Sequence, residues 1–316
     1  MLRWFNRLKQ NGKFHPMWIV LATSAIAIVA AVIAIPAIPA IYEGAKEPKN
    51  PHLATVKPVR AVANLPEPDS GQHALKPSPA GAQSVHFTPP SEKDIPSGEF
   101  GDMVKLGKNI FVHTQTYAKG FVGNGLNCVN CHLDAGRKAD ATPLWAAYVM
   151  FPAYRDKNKK VNSYEDRLAG CFRFSMNGTA PDYNSKEMIA LTTYSYWLAK
   201  GAPTGVELAG RGYPKLENPP LAADATRGAA VYQANCGICH GADGLGTKVN
   251  GQYAFPPLWG NDSFNAGAGM HTVKNAAAFI KANMPLGQGN SLSLQDAWDV
   301  AQFVDSHDRP ADPRGK

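Results

Sequence analysis

Two five-residue stretches, Cys128-Val-Asn-Cys131-His132 and Cys236-Gly-Ile-Cys239-His240, share the pattern C-x-x-C-H. Two thiols one helical turn apart can add to the two vinyl groups of a single haem, and the adjacent histidine then turns its imidazole onto the iron. Two other uses of paired cysteines fit poorly. A four-cysteine zinc site sets its pairs roughly 15–20 residues apart, whereas Cys131 and Cys236 are 105 positions apart. A thioredoxin-like pair needs a βαβ context, and strand patterns are nearly absent here. The motifs therefore predict two covalently bound haem c groups, one on Cys128, Cys131 and His132 and one on Cys236, Cys239 and His240.

Cys128 and Cys236 are 108 positions apart, and the sequence around them repeats a plan. The first copy opens on the helix-like stretch "SGEFGDMVKLGKNIFVHTQ" and closes on the amphipathic "NSKEMIALTTYSYWLAKG", stopped by Gly201. The second opens on "AADATRGAAVYQAN" and closes on "SLSLQDAWDVAQFVDSH". Each copy resembles a small cytochrome c domain, with an N-terminal helix, a haem motif, a looped middle and a C-terminal helix packed across the first. The fold class expected is all-α with long loops: cytochrome c-like domains over residues 97–201 and 222–316, with a linker over 202–221.

Ahead of these domains, Met17 to Ile35 runs for 19 residues without a charge. As a helix it would be about 28 Å long, close to the thickness of a bilayer core. Arg3, Arg7, Lys9 and Lys13 precede it and no acid does, so residues 1–16 stay cytoplasmic and the rest is exported to the periplasm. A cleaved signal peptide is the other reading, with a site near Ala40, but its apolar core spans only about 7–15 residues. Residues 17–42 are therefore read as an inner-membrane anchor. Residues 43–96, rich in proline, read as an extended tether. Four of the positives behind the net charge of +7 lie in the first sixteen residues. No basic stripe with interleaved aromatics remains, which argues against nucleic-acid binding.

The sixth ligand of each iron decides whether it carries electrons or does chemistry. In the second unit Met284, in the proline-stiffened "NMPLGQG", is favoured over Met270 and His271. In the first unit Met176 and Met284 each lie 44 residues after their haem histidine, so duplication alone points to Met176. The fifth cysteine, Cys171, competes with it. "SYEDRLAGCFRFSMNG" reads as a helix capped by Ser163 and stopped at Asn177-Gly178, with Arg167, Cys171 and Ser175 on one face. A thiol between a guanidinium and a hydroxyl is not a usual core cysteine.

At this segment the chain resembles the dihaem thiosulfate dehydrogenases, also called tetrathionate synthases. The stretch "YRDKNKKVNSYEDRLAGCFRFSMNG" resembles the family's sequence around a distal cysteine ligand, including the arginine four before and the serine four after. "FIKANMPLGQG" resembles its second ligand loop, and the likeness covers roughly residues 95–308. It implies that Cys171, 39 residues after His132, is the sixth ligand of the first haem, and that Met284 is that of the second. It further implies oxidation of two thiosulfates to tetrathionate, with Arg167, Arg155, Lys157 and Ser175 holding the anions. Lys157 stands where the family often has arginine, and keeps the charge without the planar fork. Asn283 stands where some members have a lysine that competes for the iron, so no such switch is expected, while Lys281 lies nearby.

A thiolate is a strong anionic donor that favours ferric iron and lowers the potential. Electrons would then leave through the second haem to a small cytochrome c or a membrane electron-transport complex. Blander roles exist for the polar residues: Arg167 with a haem propionate, Ser175 on an exposed helix face, Lys157, Lys159 and Lys160 on a solvated loop. The rival function is a membrane-tethered dihaem electron carrier, for which Cys171 has no use. The same couple run backwards is tetrathionate reduction.

Overall fold

The computed structural model describes residues 84–315. The predicted anchor, and the tether up to residue 83, lie outside the described residues. Among the described residues no helix is long and apolar enough to cross a membrane.

Six helices frame the two haem-motif units. In the first, α1 (Glu99–Val112) and α3 (Lys186–Leu198) cross, with the short α2 (Tyr164–Gly170) between them in sequence. In the second, α4 (Ala225–Asn235) crosses α6 (Leu294–Asp305), with α5 (Val273–Asn283) alongside. The crossing of first and last helix is as expected for both copies. On α1 the buried positions Val104, Gly107, Ile110 and Phe111 form one stripe, and on α6 Ala297, Val300, Ala301 and Val304 do the same. Burying a residue the size of Ile110 or Phe111 contributes about 1.5–3 kcal/mol.

Both crossings turn on a glycine. A β-carbon on Gly107 would lie 2.1 Å from the Ala190 carbonyl oxygen, and one on Gly228 would lie 2.0 Å from that of Asp299. The two backbones approach too closely for any side chain. Short polar caps start the helices: Ser185, Asp224 and Ser293 accept from the backbone N–H groups of Met188, Arg227 and Asp296.

The expectation of an all-α chain needs one correction. Two antiparallel hairpins are present: β1 (Ala153–Arg155) with β2 (Lys160–Asn162), and β3 (Thr247–Val249) with β4 (Gln252–Phe255). Their strands are three or four residues long, too short to show alternation. Residues 84–96, read as the end of the tether, pack on the first unit. Val85 bridges to Leu208, Phe87 packs against the Trp145 ring, and Arg137 donates to the Pro90 carbonyl at 2.6 Å.

Buried asparagines join the units. Asn124 Nδ2 donates to the carbonyls of Ser175 (2.8 Å) and Ser263 (3.1 Å). Asn265 Nδ2 donates to the Arg173 carbonyl (2.9 Å) and to Asn177 Oδ1 (3.0 Å). The turn that carries Cys171 is thus held by the second unit as well as by its own.

Candidate active site

The first haem motif follows a buried anchor. Thr114 Oγ1 accepts from the Cys128 backbone N–H at 3.1 Å, and Asn127 begins the tight turn Cys128–Asn130. Beyond the motif, the Trp145 indole donates to the Arg137 carbonyl (2.9 Å) and the Tyr194 hydroxyl to the Ala135 carbonyl (2.7 Å), fixing the loop that leaves His132. His132 Nδ1 lies 2.7 Å from the Thr142 carbonyl and 2.8 Å from its hydroxyl. With the proton committed to Nδ1, the Nε2 lone pair is free for a metal. Burial lowers this imidazole to about 4, so it is a neutral ligand at pH 7.

A cavity of about 610 Å³ opens beside it, lined by His132, Thr142, Arg155, Arg167, Arg211 and Tyr213 among others. The segment 207–215, read as interdomain linker, forms one wall. Burial, with a smaller contribution from the Cys171 sulfur, pushes the Cys128 thiol up to about 12 and the Cys131 thiol up to about 11. The lone cysteine therefore lies within electrostatic reach of both thiols of the first motif. Its local structure follows from the sequence around it. Ser163 and Asp166 form a reciprocal capping box at the start of α2. At Cys171 the helix widens into a π turn, Cys171–Ser175, closed by the Met176 N–H donating to the Cys171 carbonyl at 2.9 Å. Asn177, with φ of 47°, ends it. Such widened turns occur often at functional sites.

Arg167 Nη1 donates to Cys171 Sγ at 2.9 Å. The sulfur in turn holds the guanidinium above its ordinary value. Arg155, at the end of β1, is lowered by burial and by Arg167, so two guanidinium groups share this side of the cavity. Three predicted residues, His132, Arg167 and Arg155, therefore line this cavity, and Cys171, which is not itself in the lining, joins them through Arg167.

The other predicted residues stand apart. Lys157 Nζ donates to the Gly267 carbonyl at 2.8 Å and lies over the Phe174 ring, so it ties the first hairpin to the second unit and does not line the cavity. Ser175 is half-buried at the end of the π turn, outside the cavity lining. Met176, only 3% exposed, packs in the apolar core of the first unit and lines neither cavity.

A second cavity of about 340 Å³ is lined by Cys236, Cys239, His240, Met270 and Met284 among mostly apolar neighbours. His240 Nδ1 lies 2.8 Å from the Pro256 carbonyl, and burial lowers its imidazole. Met284 follows the last residue of α5 and belongs to no apolar cluster, whereas Met270 packs against two. His271 lies outside the lining, 3.7 Å from Asp305. Val129, Asn130 and Cys131 of the first motif form part of the wall of this second cavity. Both donor sets fit a haem: paired thiols, a neutral imidazole with its Nδ1 proton committed, and an adjoining cavity, lined by Met284 in the second unit and bordered in the first by Arg167, which holds the Cys171 sulfur.

Thr142, Arg211, Tyr213 and Asp305 were not anticipated from sequence. Thr142 and Pro256 lie ten and sixteen positions beyond their histidines, in loops without periodicity, so no local signal marks them.

Residues 114–204 match the SoxA/TsdA cytochrome c domain, and residues 223–304 match cytochrome C oxidase, cbb3-type, subunit III. The chain is 55% identical over 256 residues to a thiosulfate dehydrogenase of Stutzerimonas stutzeri, covering 81% of this chain and 83% of that one. It is 60% identical over 228 residues to a thiosulfate dehydrogenase of Thiomonas intermedia, covering 72% and 73%. Among solved structures, the thiosulfate dehydrogenase (TsdBA) of Marichromatium purpuratum in its "as isolated" form superimposes with a TM-score of 0.70 at 51% identity. That match covers 72% of this chain and spans half of the solved one. Identity at this level, over most of both chains and across both haem motifs, gives the paired C-x-x-C-H units one meaning: the chain belongs to the thiosulfate dehydrogenase family of dihaem cytochromes c.

Proposed function

We propose that the protein oxidises thiosulfate at the first cavity, 2 S₂O₃²⁻ → S₄O₆²⁻ + 2 e⁻, and delivers the electrons to an external redox partner through the second. The observation that carries this reading is the Arg167–Cys171 hydrogen bond beside His132. When bound, the haems supply the one-electron steps between substrate and partner.

The chain supplies the rest. His132 and Cys171 would hold the first haem iron, and His240 and Met284 the second. Arg167 orients the Cys171 sulfur and, with Arg155, draws two dianions into one cavity against their mutual repulsion. Lys157 adds positive potential alongside Arg155 and Arg167 while tying the hairpin that carries Arg155 to the second unit. Ser175 fixes the end of the π turn through the Asn124 contact to its carbonyl. The reaction runs in either direction according to the partner's potential. The exported chain works in the periplasm, held at the inner membrane by residues 17–42, with a small cytochrome c or a membrane complex as partner.

A tethered electron carrier is disfavoured because a carrier does not need a guanidinium on a lone cysteine. The test is low-temperature EPR and near-infrared magnetic circular dichroism of the ferric holoenzyme beside a Cys171→Ala variant. A thiolate-ligated low-spin species present in wild type and lost in the variant, together with loss of thiosulfate oxidation, supports the enzyme. His/Met spectra at both irons, unchanged in the variant, would leave the carrier.

A further inference from the structure

The two haem-binding histidines are held differently. His240 Nδ1 faces one acceptor, the Pro256 carbonyl at 2.8 Å. His132 Nδ1 faces two acceptors from a single residue, the Thr142 carbonyl at 2.7 Å and the Thr142 hydroxyl at 2.8 Å.

Thr142 reaches both positions because its backbone is left-handed, with φ of 49°. That is unusual for a β-branched residue and must be held by the surroundings. The Thr142 N–H donates to the Gly212 carbonyl and the Asp140 N–H to the Gly210 carbonyl, both at 2.8 Å. Gly210 is itself left-handed, and a β-carbon there would lie 2.5 Å from the Ala139 β-carbon. The clamp leaves the Thr142 hydroxyl hydrogen free to turn away from His132. Tyr213 lines the same cavity, and its phenol interacts with the Thr142 side chain.

An Nδ1–H shared between two oxygens loses more of its proton's charge to them than one given to a single carbonyl. The opposite nitrogen becomes the stronger donor, which favours the ferric over the ferrous state. We infer that Thr142 is a positioning residue that makes His132 a stronger iron donor than His240 and so adds to the Cys171 thiolate in holding the first haem at the lower potential, from which electrons run downhill to the second. This rests on the reading of His132 and His240 as the axial histidines of a thiosulfate-oxidising pair.

The test is a potentiometric titration of the holoenzyme, following each haem by its optical and EPR signals, with Thr142→Val and Thr142→Ser. Valine keeps the branched shape and the carbonyl but removes the hydroxyl. In Thr142→Val the first haem becomes easier to reduce, and the equilibrium constant for moving an electron from first to second haem falls by roughly three- to tenfold, the worth of one hydrogen bond. The second haem's midpoint stays in place, and Thr142→Ser titrates like wild type. If Thr142→Val does not accumulate with two haems, Thr142→Gly replaces it, since glycine is at ease at this φ, and the same shift is expected. A variant that lacks the hydroxyl, carries both haems and leaves the first midpoint unchanged overturns the inference. So does an equal shift of both haems. A wild-type enzyme inactive on thiosulfate would remove the substrate reading and leave this midpoint comparison standing.

Discussion

The Asn283 amide donates to the Asp140 carbonyl at 3.1 Å, across 143 positions of sequence. Asn283 is fully buried, and its Nδ2 also donates to the Phe279 carbonyl at 3.1 Å. The next residue is Met284, and Thr142 lies two positions beyond Asp140. One side chain therefore joins the loop that orients His132 to the turn that carries Met284. The position where some relatives were expected to hold a competing lysine is here a structural tie.

Asn283→Ala should lower stability by about 1–3 kcal/mol, because it leaves a buried carbonyl without its donor. The methionine-to-iron charge-transfer band of the second haem should weaken in the same variant, while the first haem's spectrum holds. Thermal unfolding and near-infrared absorption check the two halves of this prediction.

Arg167→Lys keeps a positive charge but not the planar fork that reaches Cys171. A hydrogen bond to a charged group contributes roughly 1.5–3 kcal/mol. We expect kcat/KM for thiosulfate to fall by roughly ten- to a hundredfold on that scale, with a changed ferric signature at the first haem. Steady-state assays with an artificial acceptor, read beside EPR, test it. An unchanged kcat/KM would remove Arg167 from the site.

Gly107→Ala and Gly228→Ala should each damage their own unit. The added carbon meets a carbonyl oxygen in both cases, and the helices must separate. Overpacking of this kind costs about 1–3 kcal/mol, and more where backbone meets backbone. Gly107→Ala is expected to lower haem occupancy at Cys128/Cys131, and Gly228→Ala at Cys236/Cys239, as seen by mass spectrometry of proteolytic haem peptides.

Asp305 borders the second cavity at 9% exposure, and neither carboxylate oxygen has a hydrogen-bond partner among the described residues. Arg309 Nη2 lies 3.5 Å away and His271 Nδ1 3.7 Å away. Burial pushes the carboxyl up to about 7, with Arg309 opposing. Between about pH 4 and 7 the folded chain keeps a proton that the unfolded chain has released. The contribution to stability is therefore full below about 4 and is lost as pH rises to 7, by at most about 4 kcal/mol. Asp305→Asn should flatten this slope and raise the melting temperature at pH 8 more than at pH 5.

Where local chemistry decides structure, the sequence was readable. The C-x-x-C-H motifs, the helix pairs around them, the Ser163 cap and the Asn177 stop all depend on neighbours within a few residues. Arg167 and Cys171 were placed on one helix face by spacing alone, and their contact follows from it. The widening into a π turn did not show, because it depends on Asn265 and Asn124 reaching in from distant segments. Lys157 looked like a substrate group because its charge is local, while its partner, the Gly267 carbonyl, is 110 positions away. Thr142 was invisible for the same reason: its role needs the glycine clamp at 210–212. Residues 84–96 carry too many prolines to look like part of a domain, yet their backbone pairs with Leu208.

Cys131, in the first C-x-x-C-H motif, stands in the wall of the second cavity. With both haems bound, the relay would therefore be a soldered joint and not a swinging arm. Tunnelling rates fall exponentially with separation, so haems bound in two sites that share a wall would exchange electrons quickly. Turnover would then be governed at the two outer contacts, the arrival of anions and the docking of the acceptor. A viscous solvent should slow the enzyme only as it slows those encounters, and should leave the internal sharing of the electron untouched.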